Sequence, residues 1–253
     1  MKNFFLLFGL LSCMHVFGED GQKKFQIGIN ISPDYCYRSL RNTNGSMVSS
    51  WIAGLRNEDE IAKIGYTAGL NGCYNFNQHF SIEIGLQYSD KGYKTKETEL
   101  LFGDLIDPRY GFVYPQSTMT SYIGVSSPKG SFIYHHYYLD FPMRINFMTG
   151  KKKFSFVIGL GIAANFFLQA TTTSVLEYSN GVTREHTSKQ IYHYELLDVS
   201  PTISAGVDYK VNSKINLRAE PTVRYGLLKI IDAPVTGYLW NAGLNFSCYY
   251  GLK

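Results

Sequence analysis

The stretch Phe80-Ser81-Ile82-Glu83-Ile84-Gly85-Leu86-Gln87-Tyr88 alternates without a break. Phe80, Ile82, Ile84, Leu86 and Tyr88 are apolar, and Ser81, Glu83, Gly85 and Gln87 are polar or small. Successive side chains of an extended chain point to opposite faces, so a period of two predicts a strand with one apolar and one polar face. The turn Asn77-Gln78-His79 links it back to a similar run, with Tyr66, Ala68, Leu70, Tyr74 and Phe76 set against Thr67, Gly69, Asn71 and Asn75. Working outward, the same alternation recurs over residues 25–32, 137–147, 154–168, 197–209, 215–225 and 240–247. Eight strands of about ten to thirteen residues result, near the ~9–11 residues that cross a bilayer at a tilt.

The connections sort the strands into hairpins. Residues 77–79, 148–153 and 210–214 are short links, whereas 38–64, 89–133, 169–193 and 226–237 are long. Short and long alternate strictly, as in barrels with short periplasmic turns and long external loops. The fold expected is all-β, an eight-stranded antiparallel up-and-down transmembrane β-barrel in a bacterial outer membrane, with both termini periplasmic. Pro33, Pro142, Pro201 and Pro221 fall inside strands and each removes a ladder donor, so bulges that shift side-chain facing are expected there.

Alternation alone does not say which face is outside, because a soluble lipocalin-like barrel alternates too. Three features point to an apolar exterior. The polar faces are mostly Gly, Ser, Thr and Asn, where a wetted wall would carry many Lys and Glu. Cations inside strands are arginines, which bind carboxylates through a rigid fork, and lysines gather in turns and loops. Aromatics collect at both ends of the apolar faces: Tyr35, Tyr37, Tyr66, Tyr88, Tyr137, Phe166, Tyr225, Tyr238 and Trp240 at one rim, and Phe25, Tyr74, Phe76, Phe80, Phe147, Phe154, Tyr209, Phe246 and Tyr250 at the other. Such rings mark the two membrane interfaces.

Composition agrees. The mean hydropathy of −0.13 is too polar for a helical membrane protein, yet there are 20 Tyr and 17 Phe. A net charge of +4 with scattered lysines gives no nucleic-acid footprint. The N-terminus, Met1-Lys2-Asn3 followed by an apolar run from Phe4 to Leu11, reads as a signal peptide over residues 1–18, cleaved after Gly18, with the barrel occupying 19–253. Leu10-Leu11-Ser12-Cys13 also resembles a lipoprotein box that would lipidate Cys13. Cys36, Cys73 and Cys248 lack metal-type spacing, and the strand map puts Cys36 at the opposite rim from the other two, so no disulfide is expected.

Several stretches carry a family resemblance: Gly65-Tyr66-Thr67-Ala68-Gly69-Leu70, the run from Phe80 through Tyr88 to Ser89-Asp90-Lys91-Gly92, Tyr138-Leu139-Asp140-Phe141-Pro142-Met143, and Ile203-Ser204-Ala205-Gly206-Val207-Asp208-Tyr209. With them the chain resembles the outer-membrane β-barrel domain family often called PorT-like, common in Bacteroidetes. The resemblance implies an eight-stranded membrane barrel with no established activity. The chain ends Gly251-Leu252-Lys253 rather than in the aromatic residue usual for barrel-insertion machinery, and Tyr249 and Tyr250 are the nearest substitutes.

The site residues expected are structural. Glu83, Asp140, Asp198, Asp208 and Glu220, with Arg144, Arg218 and Arg224, are expected to face the lumen as a charge network. Eight strands enclose room for side chains and little else, so this network is read as a plug rather than a solute path. No catalytic, cofactor-binding or metal residue is assigned, and no cofactor. His135 and His136 are adjacent and point to opposite faces of a strand. His186 and His193, with Ser174 or Ser188, are the residues a rim hydrolase or acyltransferase would use, and a narrow channel is the third alternative. The reading favoured is a non-enzymatic barrel acting through its long loops. Its partners are outer-membrane lipid, the insertion machinery, and an envelope protein or glycan. Residues 38–64 carry Arg41, Trp51, Arg56, Glu58, Asp59 and Glu60, and residues 89–133 carry Tyr93, Tyr110, Tyr114 and Tyr122, with Pro108, Pro115 and Pro128.

Overall fold

The computed structural model describes residues 23–99, 106–107, 112–113, 129–151, 153–177, 181 and 183–252. Eight long strands carry the fold among them: β1 (Phe25–Asn42), β2 (Lys63–Asn75), β3 (Phe80–Thr95), β4 (Lys129–Lys151), β5 (Phe154–Glu177), β6 (Leu197–Lys210), β7 (Ile215–Tyr225) and β8 (Val235–Gly251). Each pairs antiparallel with the strand before and after it. β8 returns to β1, from Gln26↔Gly251 to Asn42↔Val235, and closes the ring. The eight-stranded up-and-down barrel is therefore the fold. Closure satisfies the backbone donors and acceptors that an open sheet would leave along two edges.

Burial follows the alternation with the apolar side outward: Ile29 is 63% exposed and its neighbour Asn30 only 5%. The aromatic rims pair ring on ring. Tyr66 meets Tyr88 and Tyr88 meets Tyr137 at one end, and Phe25 meets Tyr74, Phe80 meets Phe147 and Phe154 meets Tyr209 at the other. The two aromatics near the C-terminus, Tyr249 and Tyr250, take opposite faces. Tyr249 is fully buried in the lumen, and Tyr250 alone of the two faces out.

The prolines produce no change of facing. Pairing of β1 with β8 skips Ser32 and Pro33 and resumes in the same register, from Ile31↔Phe246 to Asp34↔Gly243. The β3–β4 ladder likewise skips Pro142, and the β6–β7 ladder skips Pro221 and begins just past Pro201. Each proline keeps its place on the other side, as Pro33↔Tyr66, Pro142↔Ala163, Pro201↔Ile162 and Pro221↔Leu244. A residue in an antiparallel strand addresses one neighbour only, so the missing donor interrupts one ladder and leaves the other to hold register. The register shift found among the described residues lies elsewhere, between Tyr137↔Gln169 and Tyr138↔Phe167. It leaves Leu168 unopposed, and the buried side of β5 passes from Asn165 to Ala170 and Thr172.

Much of what reads as long loop is strand. β3, β4 and β5 continue past the aromatic rim, and Thr183–Lys189 folds back along β5 from Thr183↔Glu177 to Lys189↔Thr171. Glu60–Ile61 pairs with the top of β3, and Thr98–Glu99 with the start of β4. A two-residue ladder joins Ile106–Asp107 to Phe112–Val113. The connection expected as loop over 38–64 holds a helix, α1 (Met47–Asp59). Its apolar residues point away from the protein, so they do not read as a core-facing stripe. The signal-peptide residues, Cys13, Tyr110, Tyr114, Tyr122, Pro108, Pro115 and Pro128 lie outside the described residues.

Candidate functional site: the lumen and its mouth

Small inward residues make room for large charged ones. A Cβ on Gly159 would stand 2.5 Å from Ser204 Oγ and 2.8 Å from Asn146 Oδ1. Across that space Arg144 Nη2 donates to both oxygens of Glu83 at 2.9 Å and to Glu220 Oε2 at 3.1 Å. Arg218 Nη1 donates to Glu83 Oε2 at 3.2 Å, and its Nε to Asp208 Oδ1 at 3.1 Å. The Arg218 guanidinium lies 4.7 Å from the centre of the Tyr249 ring. Five of the eight expected residues thus form one connected cluster drawn from β3, β4, β6 and β7. All eight are buried.

The other three have partners that the sequence did not suggest. Arg224 Nη1 lies 3.4 Å from Asp34, whose carboxylate also accepts from Ser32 and Thr67 at 2.6 Å and from Asn241 at 2.8 Å. Asp140 is paired with Lys91 at 3.2 Å, and Lys91 lies over the Tyr138 ring. Asp198 accepts from the Asn165 amide, the Ser200 hydroxyl and the Leu228 backbone N–H. Lys63 is buried too and donates to Asp90 at 2.6 Å, with His135 Nδ1 2.9 Å from the same carboxylate. Lysine is therefore not confined to turns and loops. β2 and β3 extend further than their apolar alternation, and that extension brings Lys63 and Lys91 into the barrel wall.

Between the charged levels lies an amide layer. Gln87 Nε2 donates to Asn71 at 3.0 Å and Asn30 at 3.3 Å, and Asn30 donates to Asn245 at 3.1 Å. Above the rim the lumen ends in an aromatic cap of Tyr93, Phe132, Tyr134, Tyr138, Ile230 and Leu239, with Tyr37, Phe167 and Tyr194 packed on it. Burial pushes the Tyr93 phenol up to about 12, with the Glu60 carboxylate adding to the effect. Arg38 ties this cap to α1: its Nε donates to Glu60 at 2.6 Å, Nη1 to Asn57 at 2.9 Å and Nη2 to the Arg56 carbonyl at 3.1 Å. Arg56 in turn donates to Glu60 at 2.6 Å and to the Tyr93 hydroxyl at 3.2 Å.

Of the residues of the enzyme alternative, Ser174 and His186 stand opposite each other in the ladder. Ser174 Oγ donates to the backbone carbonyl of His186 at 3.1 Å, not to an imidazole. His135 and His136 point to opposite sides, with His136 buried, and His79 Nδ1 lies 3.0 Å from the Met148 carbonyl. Among the described residues no group of three His, Cys, Asp or Glu side chains is placed to hold a metal ion.

A closed antiparallel ring, apolar outside, banded by aromatics at both ends and filled with paired polar groups, is a β-barrel built to sit in a lipid bilayer. The chain belongs to the outer membrane protein beta-barrel domain family, whose model matches residues 21–232. Similar solved structures include the neisserial surface protein NspA, at 10% identity over 92% of this chain and 100% of that one, with a TM-score of 0.43. The attachment invasion locus protein Ail of Yersinia pestis matches at 13% identity over 89% and 99%, TM-score 0.32. The outer membrane protease OmpT of Escherichia coli matches at 6% identity over 94% and 100%, TM-score 0.40. No curated protein matches the chain.

Proposed function

We propose that this outer-membrane barrel is a non-conducting, non-enzymatic platform that works through the end carrying its long connections, by binding a partner or joining an envelope assembly. The observation that carries the reading is the filled lumen. Paired charges, the amide layer and the aromatic cap follow one another from the short-turn end to the mouth, and Glu83, Asp140, Arg144, Asp198, Asp208, Arg218, Glu220 and Arg224 act in them as a structural plug. Function then falls to the raised wall of β3, β4, β5 and Thr183–Lys189. In this reading that end is external, both termini are periplasmic, and residues 1–18 are an export signal. The stretches 65–70 and 138–143 support a PorT-like kinship. Partners are an envelope protein or glycan at the loops and the insertion machinery during assembly.

Two measurements test this. Planar bilayers holding the refolded chain are expected to show no single-channel current, and steady unitary openings would sink the plug. Proximity labelling on intact cells, comparing the wild type with a barrel whose residues 171–189 are replaced by a short turn, is expected to lose specific neighbours. An identical neighbour set, with the trimmed barrel still inserted, would remove the raised wall as the binding surface.

A further inference from the structure

α1 presents three faces. At roughly 100° per residue, Ser49, Ala53 and Arg56 lie on one side; Ser49 is buried and Arg56 reaches Glu60 and Tyr93. Ser50, Gly54, Asn57 and Glu58 line a polar flank. Val48, Trp51, Ile52 and Leu55 line the opposite flank, which ends in Asp59, and Met47 lies at the border of the polar one; these four apolar side chains and Met47 are exposed.

The helix also has a defined place in the wall. β1–β2 pairing ends at Cys36↔Lys63, and above that level the Glu60–Ile61 segment pairs with β3 instead. β1 continues upward paired with β8 as far as Asn42↔Val235. α1 connects the top of β1 to that segment, so it spans the opening where the two parts of the wall separate. Arg38, reaching up from inside, holds its C-terminal end there. Directly below, Ile61, Ile64 and Tyr35 are exposed on the barrel's outer surface, Ile64 by 74%. The C-terminal end of α1 thus adjoins this exposed band through Ile61, and its N-terminal end is held at the top of β1, where Asn42 donates to the Ser46 carbonyl and to Ser50 Oγ.

We infer that α1 is an interfacial helix, its flank of Val48, Trp51, Ile52 and Leu55 seated in the headgroup–acyl boundary of the adjoining lipid leaflet. A helix at that depth meets hydrocarbon on one side and water on the other, which matches apolar and polar flanks on either side of a wall-facing stripe. Trp is a side chain favoured at such boundaries. The inference rests on the barrel's place in a membrane and not on the binding role of its loops. It moves the apolar flank of α1 from partner surface to lipid contact.

Trp51 reports on this directly, since the chain has one other tryptophan, Trp240. The full-length protein carrying W240F is refolded into phosphatidylcholine vesicles and titrated with aqueous acrylamide, or reconstituted with phosphatidylcholine brominated on the upper acyl chain. Trp51 emission is expected to lose most of its intensity to the brominated lipid and little to acrylamide. Quenching by acrylamide alone would place the flank in water, and quenching by neither would place it under protein, a second copy included; either overturns the inference. The wild-type signal minus that of W51F gives the same quantity with Trp240 in place, so poor refolding of one variant leaves the test standing.

Discussion

Glu83 accepts from Arg144 and Arg218 at once, two guanidinium groups brought to one carboxylate from neighbouring and distant strands. Removing its charge leaves two buried cations with only Glu220 and Asp208 between them. Breaking one member of a buried ion cluster destabilises by about 3–5 kcal/mol. E83Q is therefore expected to lower the temperature at which the folded band converts to the unfolded one in heat-modifiable gel migration. The double variant E83Q/R144M, which removes a cation as well, is expected to recover part of the loss. Equal losses in both would mean that the cluster is not coupled.

Gly243 borders the Asp34 cradle, and a Cβ there would fall on the Asp34 carboxylate. Overpacking at a filled site costs about 1–3 kcal/mol, and here it also pushes Asp34 from Ser32, Thr67 and Asn241. G243A is expected to destabilise by that amount in urea unfolding followed in vesicles. Adding D34N is expected to change stability much less than D34N alone does in the parent, because the cradle is already disturbed.

Pro142 interrupts the β3–β4 ladder without moving its register. Restoring the donor with P142A allows one more hydrogen bond, worth about 0.5–1.5 kcal/mol. A small rise or no change in the unfolding midpoint is expected, with the folded migration unaltered. A large loss would mean that the ring itself packs the lumen beside Gly85, whose added Cβ would meet Pro142 Cγ at 3.1 Å.

The eight strands and their facing were legible because hydrocarbon on one side and a crowded lumen on the other impose opposite demands on alternate residues. That is why Glu83, Arg144, Asp208, Arg218 and Glu220 could be named together from their parity. The same signal fades above the rim, where the outward residues of β4 and β5 are no longer regularly apolar and the inward ones of β4 turn aromatic, Phe132 and Tyr134 among them. Residues 129–133 and 169–177 therefore read as loop, and Lys91 went unassigned although its partner Asp140 did not. α1 escaped for a related reason: its apolar flank faces away from the protein, and Ser49, Ser50 and Gly54 weaken the helical pattern. Arg38 and Glu60 sit 22 positions apart across that helix, a separation at which sequence carries no pairing signal.

Tyr93 makes the aromatic cap sensitive to alkali. Its phenol is raised from 10.0 to about 12 in the folded chain, so between these values the folded state retains a proton that the unfolded state has lost. Stability from this group is complete below pH 10.0 and is lost as pH rises through that window. Y93F removes the titration. The wild-type unfolding midpoint is expected to fall more steeply than that of Y93F across this range, and parallel curves would show that Tyr93 ionises no differently in the two states.

Arg38 joins the inside of β1 to the C-terminal turn of α1, through Glu60, Asn57 and the Arg56 carbonyl. Below it the ladders of β1 with β2 and β8 are independent of the helix. Hydrogen bonds to charged groups contribute about 1.5–3 kcal/mol each, so losing them raises local opening of α1 by roughly tenfold or more, at 1.4 kcal/mol per decade, without unfolding the barrel. R38Q is expected to admit protease cleavage between residues 42 and 62 at a correspondingly faster rate, while the folded band on unboiled gels persists. If R38Q instead lowers the conversion temperature as far as E83Q does, the mouth and the central cluster are one cooperative unit. In that case Arg38 belongs to the plug and not only to the helix above it.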